Sequence, residues 1–286
     1  MDFINFGSLI HSMNKAHIVL IPKVPHPDQI GQFRPISLCN FSYKVLSKVL
    51  ANRLRSILPS LISFNQAAFV HDRQIQDNII VAHEVFHYLK NKRSGIDFDM
   101  GLKIDMNKAY DRIEWDFLQA VMLKMGFVAS WVNLIMKCLN TVSFSVLLNG
   151  KPGPTFSPSR GWRQGDPLSP YLFILVAEVL TAMINRACLN HSPVGVQMGA
   201  EGPSISHLLF ADDSLFFVKA SVENCQSMMT ILTNYCTASG QRVNFSKSSL
   251  FFSLNTPLEL QLNISDILGV HESDDPGKYL GLPTLW

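Results

Sequence analysis

Hydrophobic and polar residues alternate with two different periods along this chain, and the changes of period mark its elements. Ile18-Val19-Leu20-Ile21-Pro22-Lys23 is a short apolar run of strand type. From Tyr43 to Arg55 apolar residues recur at helical intervals with basic ones between them, and a second helical stretch lies near Asn78 to Leu89. Lys92-Arg93-Ser94-Gly95 then breaks the pattern. Beyond it come a short apolar run from Leu102 to Met106, a helix from Trp115 to Met125, a strand pair near Phe144 to Gly150 and a long apolar stretch from Tyr171. Two aromatic-rich runs, Leu208 to Phe210 and Leu215 to Val218, flank a polar Asp212-Asp213-Ser214, and a helix follows from Ser221 to Ala238. The succession predicts an α+β fold in which helices back an antiparallel sheet. No internal repeat or low-complexity tract interrupts it.

The two short runs around Asp212-Asp213-Ser214 predict a β-hairpin with carboxylates at its tip. Neighbouring side chains on a strand point to opposite faces, so Asp212 is expected to be the principal ligand and Asp213 the secondary one. A second acidic site, Asp105, falls at the end of the strand Leu102 to Met106. Carboxylates held among apolar residues repel each other and lose hydration, so such a set calls for a cation or a shared proton. Three carboxylates suit a hard, oxygen-loving ion such as Mg²⁺ rather than zinc. Taken alone, Asp-Asp in a turn is ordinary turn chemistry; the second acidic strand is what argues for more.

Between the acidic strands lies Ser159-Arg160-Gly161-Trp162-Arg163-Gln164-Gly165-Asp166-Pro167-Leu168-Ser169-Pro170. It reads as a glycine-containing loop running into a helix, with Asp166 or Ser169 as the cap. Arg160, Arg163 and Gln164 would offer cationic and amide donors to a triphosphate or a template strand. In isolation the segment reads equally well as a capped core helix.

The order of these blocks carries a resemblance. Phe33-Arg34-Pro35-Ile36-Ser37-Leu38, Lys103-Ile104-Asp105-Met106-Asn107-Lys108-Ala109-Tyr110-Asp111, Gly161 to Pro170, Phe210-Ala211-Asp212-Asp213, Asn244-Phe245-Ser246-Lys247-Ser248 and Tyr279-Leu280-Gly281-Leu282-Pro283 together resemble the reverse transcriptase domain of non-LTR (long interspersed element type) retrotransposons, particularly those of plants. It extends from about Phe3 to the end of the chain. The resemblance implies a right-hand polymerase: fingers over residues 1–95, a palm with the catalytic aspartates over 96–252, and the palm end with the start of a truncated primer grip and thumb over 253–286. It implies that Asp105, Asp212 and Asp213 hold two Mg²⁺ ions, with Mn²⁺ as an alternative, roughly 3.5–4 Å apart. Lys247 would act near the leaving phosphate. Arg34 and Lys44 would reach the triphosphate, Tyr110 would exclude a ribose 2′-hydroxyl, and Gln164 and Gly165 would line the nucleotide pocket. RNA template, DNA primer and deoxynucleoside triphosphates are the implied partners. The alternative is a non-catalytic nucleic-acid-binding fragment of a decayed element. RNA synthesis is disfavoured by Tyr110 and by Ala211 before the aspartates, where RNA-copying viral enzymes usually carry glycine.

Charge supports a polyanion partner only locally. The chain's net charge is +2, yet Lys15 to Arg55 holds seven basic residues (Lys15, Lys23, Arg34, Lys44, Lys48, Arg53, Arg55) against one acid, Asp28. For Lys48, Arg53 and Arg55 a solvated helix face explains the charge as well. At 286 residues, with 47% hydrophobic and 16% charged residues, the chain is globular. Five cysteines with no Cys-x-x-Cys pair argue for a reducing, intracellular compartment, nuclear or cytoplasmic. Glu178 interrupts the apolar stretch from Tyr171, and neither secretion nor membrane spanning is indicated.

One departure stands out in Ala68-Phe69-Val70-His71-Asp72-Arg73-Gln74-Ile75, where the family carries glycine at the position of Asp72. A positive φ there would be borne less well by aspartate than by glycine. The chain stops at Trp286, so a complete thumb, a preceding endonuclease and a ribonuclease H-like extension are expected to be lacking.

Overall fold

The computed structural model describes residues 11–199, 201–273, 275 and 277–284. The first residues of the expected resemblance, from Phe3 to residue 10, and the terminal Trp286 lie outside them. The chain divides into two compact units, each made of two stretches of sequence. The first takes residues up to Leu61 and Tyr110–Val176; the second takes Ile62–Ala109 and everything from Ala177 onward.

In the first unit a four-stranded sheet runs in the order Phe33–Cys39, Lys15–Pro22, Ser143–Leu148, Lys151–Phe156. Lys15–Pro22 is antiparallel to Phe33–Cys39 and parallel to Ser143–Leu148. The strand pair near Phe144 therefore joins the N-terminal strand, rather than continuing the succession that leads to the aspartate hairpin. Period-2 patterning shows which faces of a strand are buried but not which distant strand it pairs with. Ala16, Val142 and Phe144 make this sheet's small core. Helix Phe41–Arg55 starts where the Asn40 side chain accepts the Ser42 N–H at 2.9 Å. It buries Tyr43, Ser47, Leu50, Ala51 and Leu54 and leaves Lys44, Lys48, Arg53 and Arg55 exposed.

The second unit is built on an antiparallel sheet in the order Ser249–Phe252, Asp99–Ile104, Asp213–Lys219, His207–Phe210. Its central strands are buried on both faces over Asp99–Leu102 and Ser214–Val218. On one face, helix Ile75–Asn91 presents Ile79, Ala82, Val85, Phe86 and Leu89 to Leu208, Leu215, Phe217 and Phe251. Phe86 meets Phe217 and Phe251 edge-on, both at 5.4 Å between ring centroids. Each buried phenylalanine contributes about 1.5–3 kcal/mol, and each edge-to-face pair about 0.5–1.5 more. Gly101 makes this packing possible: a Cβ there would lie 3.2 Å from the Phe86 ring and 3.3 Å from that of Phe217. On the other face Cys225 packs its sulfur against that of Met100 at 3.8 Å.

Helix Ser169–Leu189 is, among the described residues, the one helix long and apolar enough to cross a membrane. Leu172, Phe173, Ile174, Leu175 and Val176 are all buried within the protein, and so are the polar Glu178 and Thr181. A buried glutamate and threonine on this helix fit a core element.

Asp72 adopts φ +65°, the left-handed region anticipated from its place in a glycine position. Its contact with His71, at 2.7 Å, lies between two exposed side chains and adds little. Asp72→Gly is expected to stabilise the protein by about 0.5–1 kcal/mol, read as a higher urea midpoint at unchanged slope; a lower midpoint would show that aspartate is not strained there.

Candidate active site

The hairpin that carries the acidic pair forms as expected, with a shifted turn. Strands His207–Phe210 and Asp213–Lys219 pair with Phe210 opposite Asp213, so the turn consists of Ala211 and Asp212, and Asp213 and Ser214 belong to the returning strand. Ala211 has φ +54°, a left-handed value at the first central position of a two-residue turn. An alanine held there stores strain of about 1 kcal/mol or more. The neighbouring strand pairs Ile104 with Ser214, and one step further along that register Asp105 stands opposite Asp213. Two aspartates distant in sequence are thus set side by side by backbone pairing.

Asp105 is held by three bonds. Its N–H donates to Ser248 Oγ at 3.2 Å, its carbonyl accepts the Asn244 N–H at 2.8 Å, and its Oδ2 accepts Asn244 Nδ2 at 3.0 Å. Asn244 and Ser248 were legible only as members of a motif, and their positioning role was not. Lys247 is exposed in the short 3₁₀ turn Phe245–Lys247 between them.

Asp213 feels the other two carboxylates. Although Asp213 is exposed at the strand end, partial desolvation of its carboxyl pushes its pKa above the ordinary aspartate value; the Asp212 and Asp105 carboxylates push it further, and Lys103 draws it back. Carboxylate oxygens are hard donors, and a bound divalent cation would relieve the excess negative charge that this shift reports. Among the described residues, however, no group of three or more His, Cys, Asp or Glu side chains is gathered into a ready ligand set. The strand ends bring these aspartates into electrostatic range.

The residues expected to bind the nucleotide lie in the first unit. Loop Arg160–Asp166 is tied to the segment Tyr110–Trp115: Gly161 N–H donates to the Ile113 carbonyl at 2.8 Å and Trp162 N–H to that of Tyr110 at 2.7 Å. Gly161, at φ +79°, passes so close to Asp111 that a Cβ would sit 2.7 Å from its carbonyl oxygen. The Tyr110 ring stacks on Phe173, 4.8 Å between centroids and 1° from parallel. Gln164 Nε2 reaches Asp111 Oδ1 at 3.3 Å, and its carbonyl accepts the Ser37 N–H at 2.7 Å, which brings strand Phe33–Cys39 alongside. Gly165 is exposed, at φ +105°. Arg34 and Lys44 are both exposed.

Arg163 corrects the sequence expectation. It is 4% exposed, and its guanidinium is spent on protein groups: Asp166 Oδ2 at 3.2 Å, Asn14 Oδ1 at 2.5 Å, the Cys138 carbonyl at 2.7 Å, the Tyr43 hydroxyl, and the face of the Tyr43 ring at 3.9 Å. Asp166 also accepts from Tyr43, Ser47 and the Leu168 N–H. A buried ion pair whose donors are all satisfied has nothing left for a phosphate. The loop is shaped by this pair, and Arg160 faces Glu114 at 3.2 Å on the surface.

A family model described as "Reverse transcriptase (RNA-dependent DNA polymerase)" matches residues 21–284. The chain belongs to the reverse transcriptase family. Over 247 residues, 85% of the chain, it is 28% identical to the transposon TX1 149 kDa protein of Xenopus laevis, and over 290 residues, 96% of the chain, it is 27% identical to the Pol polyprotein of the R2DM retrotransposable element of Drosophila melanogaster. Both relatives are named for transposable elements, and this reverse transcriptase domain is similar to part of each. It spans 18% and 26% of those two proteins' lengths. Its fold is that of an apo telomerase from Candida tropicalis truncated of its C-terminal domain, with a TM-score of 0.56 at 14% identity over 86% of this chain and 51% of that one.

The shift at Asp213 gives the reverse transcriptase domain a pH signature. A carboxyl whose pKa is raised on folding contributes stability that is present below the ordinary aspartate value and lost as pH climbs through the raised one. Asp213→Asn is therefore expected to be more stable than the native chain at pH 7, with the difference shrinking towards pH 4, in urea unfolding at both values. A difference independent of pH would show that the three carboxylates do not interact.

Proposed function

We propose that this chain is the catalytic core of a plant non-LTR retrotransposon reverse transcriptase, adding deoxynucleotides to a primer 3′-hydroxyl on an RNA template. The observation that carries the reading is the electrostatically coupled set Asp105, Asp212 and Asp213 at adjacent strand ends, within a chain of this family. Plant origin rests on the motif resemblance alone. Fingers over residues 1–95, palm over 96–252 and a palm end leading to a thumb over 253–286 are part of the same proposal.

Asp105, Asp212 and Asp213 would hold two Mg²⁺ ions, or Mn²⁺ in their place. Bound there, such ions supply charge neutralisation for the leaving pyrophosphate and a lowered pKa for the primer hydroxyl. The protein's own part is positioning, which phosphoryl transfer needs more than covalent chemistry. Asn244 and Ser248 fix the direction of Asp105. Tyr110, braced flat against Phe173, would stand against the sugar and reject a 2′-hydroxyl. Gln164 and Gly165 would lie along the nucleotide, Arg34 and Lys44 would approach its triphosphate, and Lys247 the departing phosphate. An intracellular setting, nuclear or cytoplasmic, accords with the five free thiols.

Primer extension with deoxynucleotides and Mg²⁺ on an RNA template tests the assignment. The native chain should give product, and Asp105→Ala or Asp212→Ala should lower the rate by at least about 10³-fold, about 4 kcal/mol of transition-state stabilisation. Equal product from the variants would remove the assignment, and salt-sensitive binding without any extension would leave a nucleic-acid-binding fragment instead. Tyr110→Ala should raise ribonucleotide incorporation relative to deoxynucleotide by about tenfold or more; unchanged sugar discrimination would refute its steric role.

A further inference from the structure

The edge of the palm-type sheet beside strand His207–Phe210 is covered by an irregular segment that the proposed chemistry does not use. The Leu209 N–H donates to the Asn65 carbonyl at 2.7 Å and the Ala67 N–H to the Leu209 carbonyl at 3.1 Å, so residues 65–67 run alongside the strand. Between them Gln66 is fully buried. Its Oε1 accepts the N–H of Ala211 at 3.0 Å and that of Ala68 at 3.0 Å, and its Nε2 approaches the Ala211 carbonyl at 3.5 Å. Ala211 is the turn residue held at φ +54°, immediately before Asp212.

The segment that delivers Gln66 is itself pinned. One guanidinium, that of Arg73, donates to the carbonyls of Ile62, Ser63 and Gln66 at 2.7, 2.5 and 2.6 Å. Ser63 in turn gives its N–H, at 3.0 Å, and its hydroxyl to the buried Glu178. Arginine and glutamate together hold residues 62–66, the loop whose fully buried Gln66 side chain ends on the hairpin turn.

We propose that Gln66 is a positioning residue for the catalytic hairpin, its carboxamide holding the Ala211 peptide in the left-handed conformation that aims Asp212 and Asp213. Alanine left to itself relaxes from positive φ, and the turn would then re-aim both carboxylates. A misplacement of about 1 Å can cost on the order of 10²-fold in rate. Glycine needs no such restraint.

The kinetic part of the test rests on the polymerase reading; the structural part does not. Gln66→Met keeps the side chain's volume and removes the acceptor. Amide hydrogen exchange at Ala211 should speed up at least tenfold while the amides of Asp99–Ile104 are unchanged. In primer extension, kcat should fall about 10–100-fold with KM for the deoxynucleotide unchanged. Adding Ala211→Gly should recover most of the lost kcat without restoring protection at residue 211. Should Gln66→Met not fold, Gln66→Glu, which keeps the Oε acceptor, should keep Ala211 protected. Native exchange at Ala211 in Gln66→Met, faster exchange spread evenly over the sheet, or a kcat loss just as large on the Ala211→Gly background would each overturn the proposal. A native chain inert towards primers would count against the polymerase reading alone, and the Ala211 exchange rate would then decide the role of Gln66 by itself.

Discussion

Backbone pairing between Asp99–Ile104 and Asp213–Lys219 brings Asp105 and Asp213 to the same end of the sheet, near enough for one carboxylate to raise the pKa of the other. Asp212 adds a third from the turn, and Lys103 is the one cation that lowers the pKa of Asp213. The repulsion is not relieved by sliding the strands, because a one-residue slip would carry Gly101 from beneath the Phe86 and Phe217 rings and put a side chain where they close. The cluster of aspartates is therefore held against its own electrostatics by the register of the sheet that carries it.

That register is secured away from the acidic end. The Gly101 gap lets Phe86 and Phe217 close over the middle of the aspartate strand. At its far end the fully buried Asp99 takes Lys92 Nζ at 2.5 Å and the Tyr88 hydroxyl at 3.1 Å on one oxygen, with Lys219 at 3.3 Å from the other. Removing a partner from such a buried pair costs about 3–5 kcal/mol, so the strand is anchored at one end and free to present charge at the other. Asn244, Ser248 and Gln66 then set the directions of the acidic residues, a matter of fractions of an ångström rather than of fold stability.

Much of this was legible in the residues. Short apolar runs around Asp212 and before Asp105 announced strands, and the helices from Tyr43, Asn78, Trp115 and Ser221 fell within a few residues of their expected places. The aspartate-for-glycine departure at residue 72 anticipated a left-handed backbone. What patterning does not carry is partnership across the chain. Nothing local in Phe144 to Gly150 says that it runs parallel to Lys15–Pro22, and nothing in Arg163 says that its guanidinium turns inward to Asp166 rather than outward to a phosphate. Gln66 escaped for the same reason. One amide in a loop becomes informative only once the fold has placed Ala211 against it.

The carboxyl ¹³C titration of Asp213, followed by NMR with and without Mg²⁺ in the native chain and in Asp105→Asn, goes directly to the claim that these aspartates form one electrostatic site. The account predicts an apparent pKa above that of an ordinary aspartate in the native chain, lowered by Asp105→Asn and lowered again by Mg²⁺. An Asp213 that titrates as an isolated surface carboxyl, indifferent to both the substitution and the ion, would contradict it.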